Sequence, residues 1–199
     1  MSDFAEKARA AVDSYRGLLV ERPSPHRVKR FLIAVNGWCN SRCTFCNIWQ
    51  YDKARALKEE ITLEELEQNL FSSAALDEVI DIGVTGGEPF LRNDLADLCH
   101  SMFARFLAAR IGIVTNGLLS ARIAENAAAI ARADPHRELS VAVSLDGYGE
   151  THDRVRGVPG NFDRVLRTVD LLKAEAPGVA IGLSHTVTPT NMQDSLRCY

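Results

Sequence analysis

No apolar run in this 199-residue chain approaches the roughly 18 residues that a membrane-spanning helix needs. The opening stretch, MSDFAEKARAAVDSYRGLLVERPSP, carries charges throughout and lacks the apolar centre of a secretory signal. The expected compartment is therefore the reducing cytoplasm, with no membrane partner. A dominant charge sign is missing too: 23 basic against 26 acidic residues leave a net −3, so nothing in bulk draws the chain to nucleic acid. No low-complexity tract interrupts it. What remains is an ordinary globular composition, long enough for one core and too short for two full domains.

Cysteine is scarce as well, and its distribution matters more than its number. Of five cysteines, three fall in NGWCNSRCTFCNIW, residues 36–49: Cys39, Cys43 and Cys46, spaced C-x3-C-x2-C. In a reducing compartment such a cluster points to metal or redox chemistry before disulfides. Thiolates suit zinc or an iron–sulfur cluster. A structural zinc site needs a fourth ligand, usually from a second knuckle. None stands out, because Cys99 and Cys198 are single and His26, His100, His136, His152 and His185 are scattered. An open-site cluster needs only three thiolates. Phe45, just before the last of them, can shield such a cluster or stack on a planar ligand. Trp38 and Trp49 flank the loop as packing or lid residues. Cys99, within LADLCHSMF, reads as a small core residue.

Along the chain, β-rich apolar runs alternate with helical patterns. Strands are predicted at 30–35, 78–84, 110–115, 139–145 and 179–187. TLEELEQNLF opens on Thr62 with Glu65 three residues on, a capping box. In 93–109, Leu95, Leu98, Met102, Phe106 and Ala109 recur on one helical face. Further helices open on Ser120 and Asn161, the latter stopping before Pro177 and Gly178. Residues 2–20 read as one more helix, ended by Pro23 and Pro25, so 1–25 is an N-terminal helical extension and 26–199 the core domain. The alternation implies an α/β fold with a parallel sheet or barrel, whose chemistry gathers at the carboxyl ends of the strands. The cysteine loop, TGGEPF (85–90), NGLLS (116–120), DGYGETHDRVRG (146–157) and TPTN (188–191) all follow strands. Five βα units are readable where the pattern breaks off, which suggests a C-terminally incomplete barrel. A flavodoxin-like five-strand sheet is the alternative.

These loops hold further chemistry. Gly86 and Gly87 let backbone approach a ligand closely, and Glu88 can accept from an ammonium. Ser144 can hydrogen-bond a carboxylate or ribose hydroxyl without filling a site, and Arg156 has the fork that suits a carboxylate. Each also has a plain reading: a tight turn at 86–89, turns at Asn116–Gly117 and Asp146–Gly147, and a solvated arginine. His152 and His185 are read as structural.

CNSRCTFC with GGEP one strand–helix unit later resembles the radical S-adenosylmethionine (SAM) enzymes. The resemblance covers roughly residues 30–191 and implies a partial TIM-type (β/α) barrel with about five of six units present. It implies a [4Fe–4S] cluster on Cys39, Cys43 and Cys46, with the SAM amino and carboxylate groups on the fourth iron. Reductive cleavage of SAM would then give a 5′-deoxyadenosyl radical that abstracts hydrogen from a substrate. By the same resemblance Gly86, Gly87, Glu88 and Pro89 hold the SAM amino group, and Ser144 and Arg156 contact SAM. Thr115, Asn116 and Asp146 match common contact positions. RGVPGNFDRVLRTVDLL resembles the segment after strand four in members with a SPASM or twitch extension, and the core also resembles molybdenum-cofactor-synthesis members. The implied partners are a small-molecule or peptide substrate and an external electron donor such as flavodoxin or ferredoxin. The alternatives are an inactive SAM-binding or regulatory fragment, and a non-catalytic zinc or electron-carrier domain.

Overall fold

The computed structural model describes residues 27–198. The expected helix over 2–20, its Pro23–Pro25 end and His26 lie outside those residues. Five strands, β1 (Arg30–Ala34), β2 (Asp81–Thr85), β3 (Arg110–Thr115), β4 (Leu139–Ser144) and β5 (Ala180–Ser184), form one parallel sheet. Their order is β1-β2-β3-β4-β5. A flavodoxin-like sheet would place β1 between β2 and β3, so that alternative is rejected. Each strand pairs with its neighbour in sequence and, among the described residues, the sheet stops short of closing. This is an open α/β sheet of the partial-barrel kind.

The helices follow from local signals. Helix α1 (Lys53–Lys58) starts on Asp52, whose side chain accepts from the Arg55 amide. Helix α2 (Leu63–Leu66) has the full capping box, with Thr62 accepting from the Glu65 amide and Glu65 from the Thr62 amide. A π-helical turn, Glu67–Phe71, continues it. Then come α3 (Leu95–Arg105), α4 (Ser120–Ala133), α5 (Glu150–Arg156) and α6 (Asn161–Glu175). Helices α1 and α5 have no counterpart among the predicted ones. At two turns or fewer, neither is long enough to show an apolar period.

Strand alternation sorts the sheet into two faces. Ile82, Val84, Ile111, Ile113, Val141 and Val143 are fully buried beneath the helices. The predicted face of α3 packs there, with Leu95, Leu98 and Met102 fully buried; the helix ends at Arg105, short of the expected 109, and Phe106 and Ala109 are buried just beyond it. The opposite face carries Leu32, Gly83, Gly112, Ser140 and Ala180, in register across all five strands. Leu32 is 69% exposed and lies over Gly83, where any Cβ would meet its Cδ1 at 2.4 Å. Small residues keep the remainder of that face low, and the strand ends above it are free to build a site.

Core and rim should respond differently to truncation. Met102→Ala should cost about 2–5 kcal/mol in urea unfolding. Leu107→Ala, at a side chain 77% exposed, should stay within about 0.5 kcal/mol.

Candidate functional site

The cysteine loop leaves β1 through Val35 and Asn36, and Asn36 makes the first structural decision. Its side-chain oxygen and its backbone carbonyl both accept from the Gly87 amide, at 2.9 and 3.1 Å. Its side-chain amide donates to the Glu88 carbonyl at 2.7 Å. The Glu88 amide donates to the Trp38 carbonyl at 3.1 Å. The loop after β2 is thereby sewn to the loop after β1, and the fit excludes side chains. A Cβ at Gly87 would lie 1.8 Å from the Trp38 carbonyl oxygen.

Within the loop, sulfur is held by nitrogen donors. The Ser41 amide lies 3.4 Å from Cys39 Sγ and the Asn116 side-chain amide 3.6 Å from it. Arg156 Nη1 is 3.7 Å from Cys43 Sγ. The Trp49 indole donates to the Cys43 carbonyl at 3.3 Å, and Lys53 sits over the Trp38 ring. The two tryptophans therefore shape the loop, as a packing role requires. Burial pushes the Cys39 thiol up to about 11. Burial also raises Cys43, against the opposing pull of the Arg156 charge. Both are thiols near neutrality, so metal loading must displace protons.

Glu88 points away from the cavity. Its carboxylate is 1% exposed and accepts from Thr115 Oγ1 (2.8 Å), the Asn116 amide (2.7 Å) and the Phe90 amide (3.2 Å). Burial pushes its pKa up to about 7, even though those three donors favour the anion. Asn116, so positioned, reaches both Cys39 and the Asn40 side chain. Pro89 is buried at the start of a 3-10 turn. Asp146 is fully buried, with one oxygen accepting from the Thr186 amide at 2.7 Å and the other 2.6 Å from Arg156 Nε.

The other sequence-predicted residues come together. Cys39, Cys43, Cys46, Phe45, Gly86, Gly87, Thr115, Asn116, Ser144 and Arg156 line one cavity of about 220 Å³ at the carboxyl ends of the strands. Larger depressions lie at the opposite end of the sheet, around Arg110 and Arg137. They hold no convergent cysteine or glycine motif and are set aside as a site for this chemistry. Ser41 also lines the cavity, with its buried hydroxyl beside the Cys43 thiol. Sequence reasoning passed over Asn36, Ser41, Ser184 and Thr186, whose only signal is their place beside strand ends. His152 lies behind the cavity, where Nδ1 accepts from the Asp146 amide and burial lowers its pKa to about 4. His185 joins the Leu145 carbonyl and Ser195. Cys99 is a fully buried core thiol.

The donor set can be tested against metal types. Among the described residues no three Cys, His, Asp or Glu side chains group as ligands for one ion, which a mononuclear zinc site requires. A four-iron cluster instead takes each thiolate on a different iron and accepts polar N–H groups near its sulfurs. The residues present fit such a cluster: three thiols, with polar donors at two of them.

An open β/α sheet with three thiols and a glycine-rich turn at one strand-end cavity defines a cluster-binding class of enzyme core. The Radical SAM superfamily profile matches residues 33–197, and the chain belongs to that superfamily. Its relatives include Fe-coproporphyrin III synthase of Methanosarcina barkeri, 34% identical over 162 residues, covering 78% of this chain and 36% of the relative. Pre-heme d1 synthase of Dinoroseobacter shibae is 31% identical over 183 residues, covering 85% and 40%. GTP 3′,8-cyclase of Rhizobium etli is 30% identical over 180 residues, covering 87% and 47%. The fold is shared with Streptococcus suis SuiB, with a TM-score of 0.63 at 17% identity over 87% of this chain and 36% of that one. The chain spans about a third to a half of the length of these relatives. No helix among the described residues is long and apolar enough to cross a membrane.

Two substitutions probe this geometry. Gly87→Ala should force the two loops apart, and reconstituted protein should then carry less than half the wild-type iron. Glu88→Gln should alter the pH dependence of stability. The folded wild type keeps a proton on Glu88 that the unfolded chain releases near 4.5, so that contribution is full below that pH and is lost as pH rises through about 7. It amounts to something on the order of 3 kcal/mol. Thermal melts between pH 4 and pH 8 should show the loss in wild type and its removal in Glu88→Gln.

Proposed function

We propose that this chain is the catalytic core of a radical SAM enzyme acting on a small-molecule or peptide substrate. The observation that carries the reading is the convergence of three thiols, Gly86 and Gly87, Ser144 and Arg156 on one cavity, although they come from separate loops. When bound, a [4Fe–4S] cluster and SAM together supply a carbon-centred radical able to abstract hydrogen.

The chain's own residues position and protect that chemistry. Cys39, Cys43 and Cys46 would hold a [4Fe–4S] cluster through three thiolates, and SAM would bind at the position they leave open. The Gly86–Gly87 backbone lines the cavity and would accept from the SAM amino group. Glu88 and Pro89 fix that turn from behind, and Glu88 also sets Thr115 and Asn116 at the cavity wall. Ser144 and Arg156 hold the methionyl carboxylate, while Phe45, 41% exposed, covers the loop from outside. Asp146 lies behind Arg156. An external donor such as flavodoxin or ferredoxin delivers the electron on this outer side, in a reducing compartment such as the cytoplasm. The names of the relatives, Fe-coproporphyrin III synthase and pre-heme d1 synthase, make a tetrapyrrole the first substrate to try.

Anaerobic reconstitution should load about four irons per chain, and Cys39→Ser, Cys43→Ser or Cys46→Ser should abolish this. Adding SAM should change the EPR spectrum of the dithionite-reduced cluster, and 5′-deoxyadenosine should accumulate. A fully loaded cluster whose spectrum ignores SAM would overturn the enzyme reading. Uptake of one zinc in place of iron would favour the structural-metal alternative.

A further inference from the structure

The three thiols are not equivalent. Cys39 meets two neutral N–H donors, from Ser41 and Asn116. Cys43 meets a cation: Arg156 Nη1 lies 3.7 Å from its sulfur. Arg156 is buried, 8% exposed as a residue, and it is held from behind. Asp146 Oδ2 lies 2.6 Å from Arg156 Nε, as an ion pair whose N–H is not aimed squarely at the oxygen. The other carboxylate oxygen is tied to the Thr186 amide at the end of β5. The aromatic face of Phe45, 5.6 Å from the guanidinium carbon, closes the outer side.

The backbone reinforces this contact. Helix α5 ends at Arg156, and the last carbonyls of a helix have no partner within it. Here the Val155 carbonyl accepts from the Thr44 amide at 2.9 Å and the Arg156 carbonyl from the Arg42 amide at 3.0 Å. These are the two residues flanking Cys43, so the end of α5 grips the cysteine loop on both sides of that ligand. Gly157 permits the grip. Its φ is +65°, and a Cβ there would lie 2.3 Å from the Arg42 carbonyl oxygen.

We propose that Asp146 and Arg156 act as a positioning pair that holds a positive charge against the Cys43 ligand and raises the reduction potential of the cluster. A hydrogen-bond donor or cation at a ligating sulfur stabilises the reduced, more negative state. The Thr186–Asp146–Arg156–Cys43 chain supplies one from the loops after β4 and β5. The inference rests on the proposed cluster at Cys39, Cys43 and Cys46. It is compatible with the carboxylate role given to Arg156, since Nε serves Asp146 and Nη1 serves Cys43, leaving Nη2 for SAM.

The test is an EPR-monitored redox titration of reconstituted wild-type protein, Arg156→Gln, Arg156→Lys, Asp146→Asn and the Asp146→Asn, Arg156→Gln double variant, all without SAM and with dithionite and mediator dyes. Arg156→Gln should hold roughly tenfold less reduced cluster at a fixed potential, a midpoint lowered by about 59 mV for one electron. Asp146→Asn also deletes a buried negative charge, which alone raises the midpoint, so the anchoring role is read from the double variant: Arg156→Gln should shift the midpoint less in the Asp146→Asn background than in wild type. Arg156→Lys keeps the charge and much of the volume, so it controls for folding and should fall between Arg156→Gln and wild type. If the variants load iron and titrate at the wild-type midpoint, the pair is merely structural and the inference is overturned. A wild-type chain that loads no cluster would instead refute the function proposed above.

Discussion

The cavity depends on two backbone segments lying closer together than side chains allow. The Trp38 carbonyl and the Gly87 Cα share space that a single methyl group would fill, and Asn36 fastens the two loops on either side of that contact. Only then does the GGEP turn face the cysteines. The glycines at 86 and 87 are thus required by packing between loops, whatever ligand they meet. A motif read for its chemistry turns out to be a structural joint first.

Similar joints run around the rim of the sheet. Asn36, after β1, ties to the loop after β2, and Glu88, after β2, ties to Thr115 and Asn116 at the end of β3. Asn116 returns to Asn40 and Cys39 beside β1. Asp146, after β4, ties to Thr186 after β5, and the end of α5 reaches back to the cysteine loop. Asn36, Glu88, Asn116 and one oxygen of Asp146 each meet a hydrogen-bond partner on a neighbouring loop. The open sheet lacks the closure that would fix its rim in a full barrel. Buried hydrogen bonds between successive loops do that work among the described residues.

The strands and the cluster loop were legible because their signals are local. Alternating or continuous apolar runs locate β1 to β5 within a few residues, and the cysteine spacing needs no tertiary information. The one-sided burial of α3 was likewise written in the spacing of Leu95, Leu98 and Met102. Other features depend on contacts distant in sequence. Nothing in NGW shows that Asn36 will bond residues 51 and 52 positions away. The alternation cannot show that Glu88 turns inward to hold Asn116 while the Gly86–Gly87 backbone lines the cavity. Helix α5 is too short to carry a period, so its grip on Arg42 and Thr44 was invisible in the sequence.

The Asp146–Arg156 pair poses the sharpest energetic question. Burying both charges costs more desolvation than a pair of packed apolar residues would, so stability alone gives weak reason for it. The backbone grip of α5 on the cysteine loop would survive without either side chain, since it uses only carbonyl and amide groups. What the pair adds is a guanidinium held at one thiol and at the cavity wall, oriented by a carboxylate whose other oxygen is tied to the Thr186 amide. A flexible surface cation could not hold that position, because solvent would screen it and rotamer freedom would disperse it. The arrangement makes physical sense as preorganised electrostatics for a ligand that carries negative charge and gains more of it when reduced.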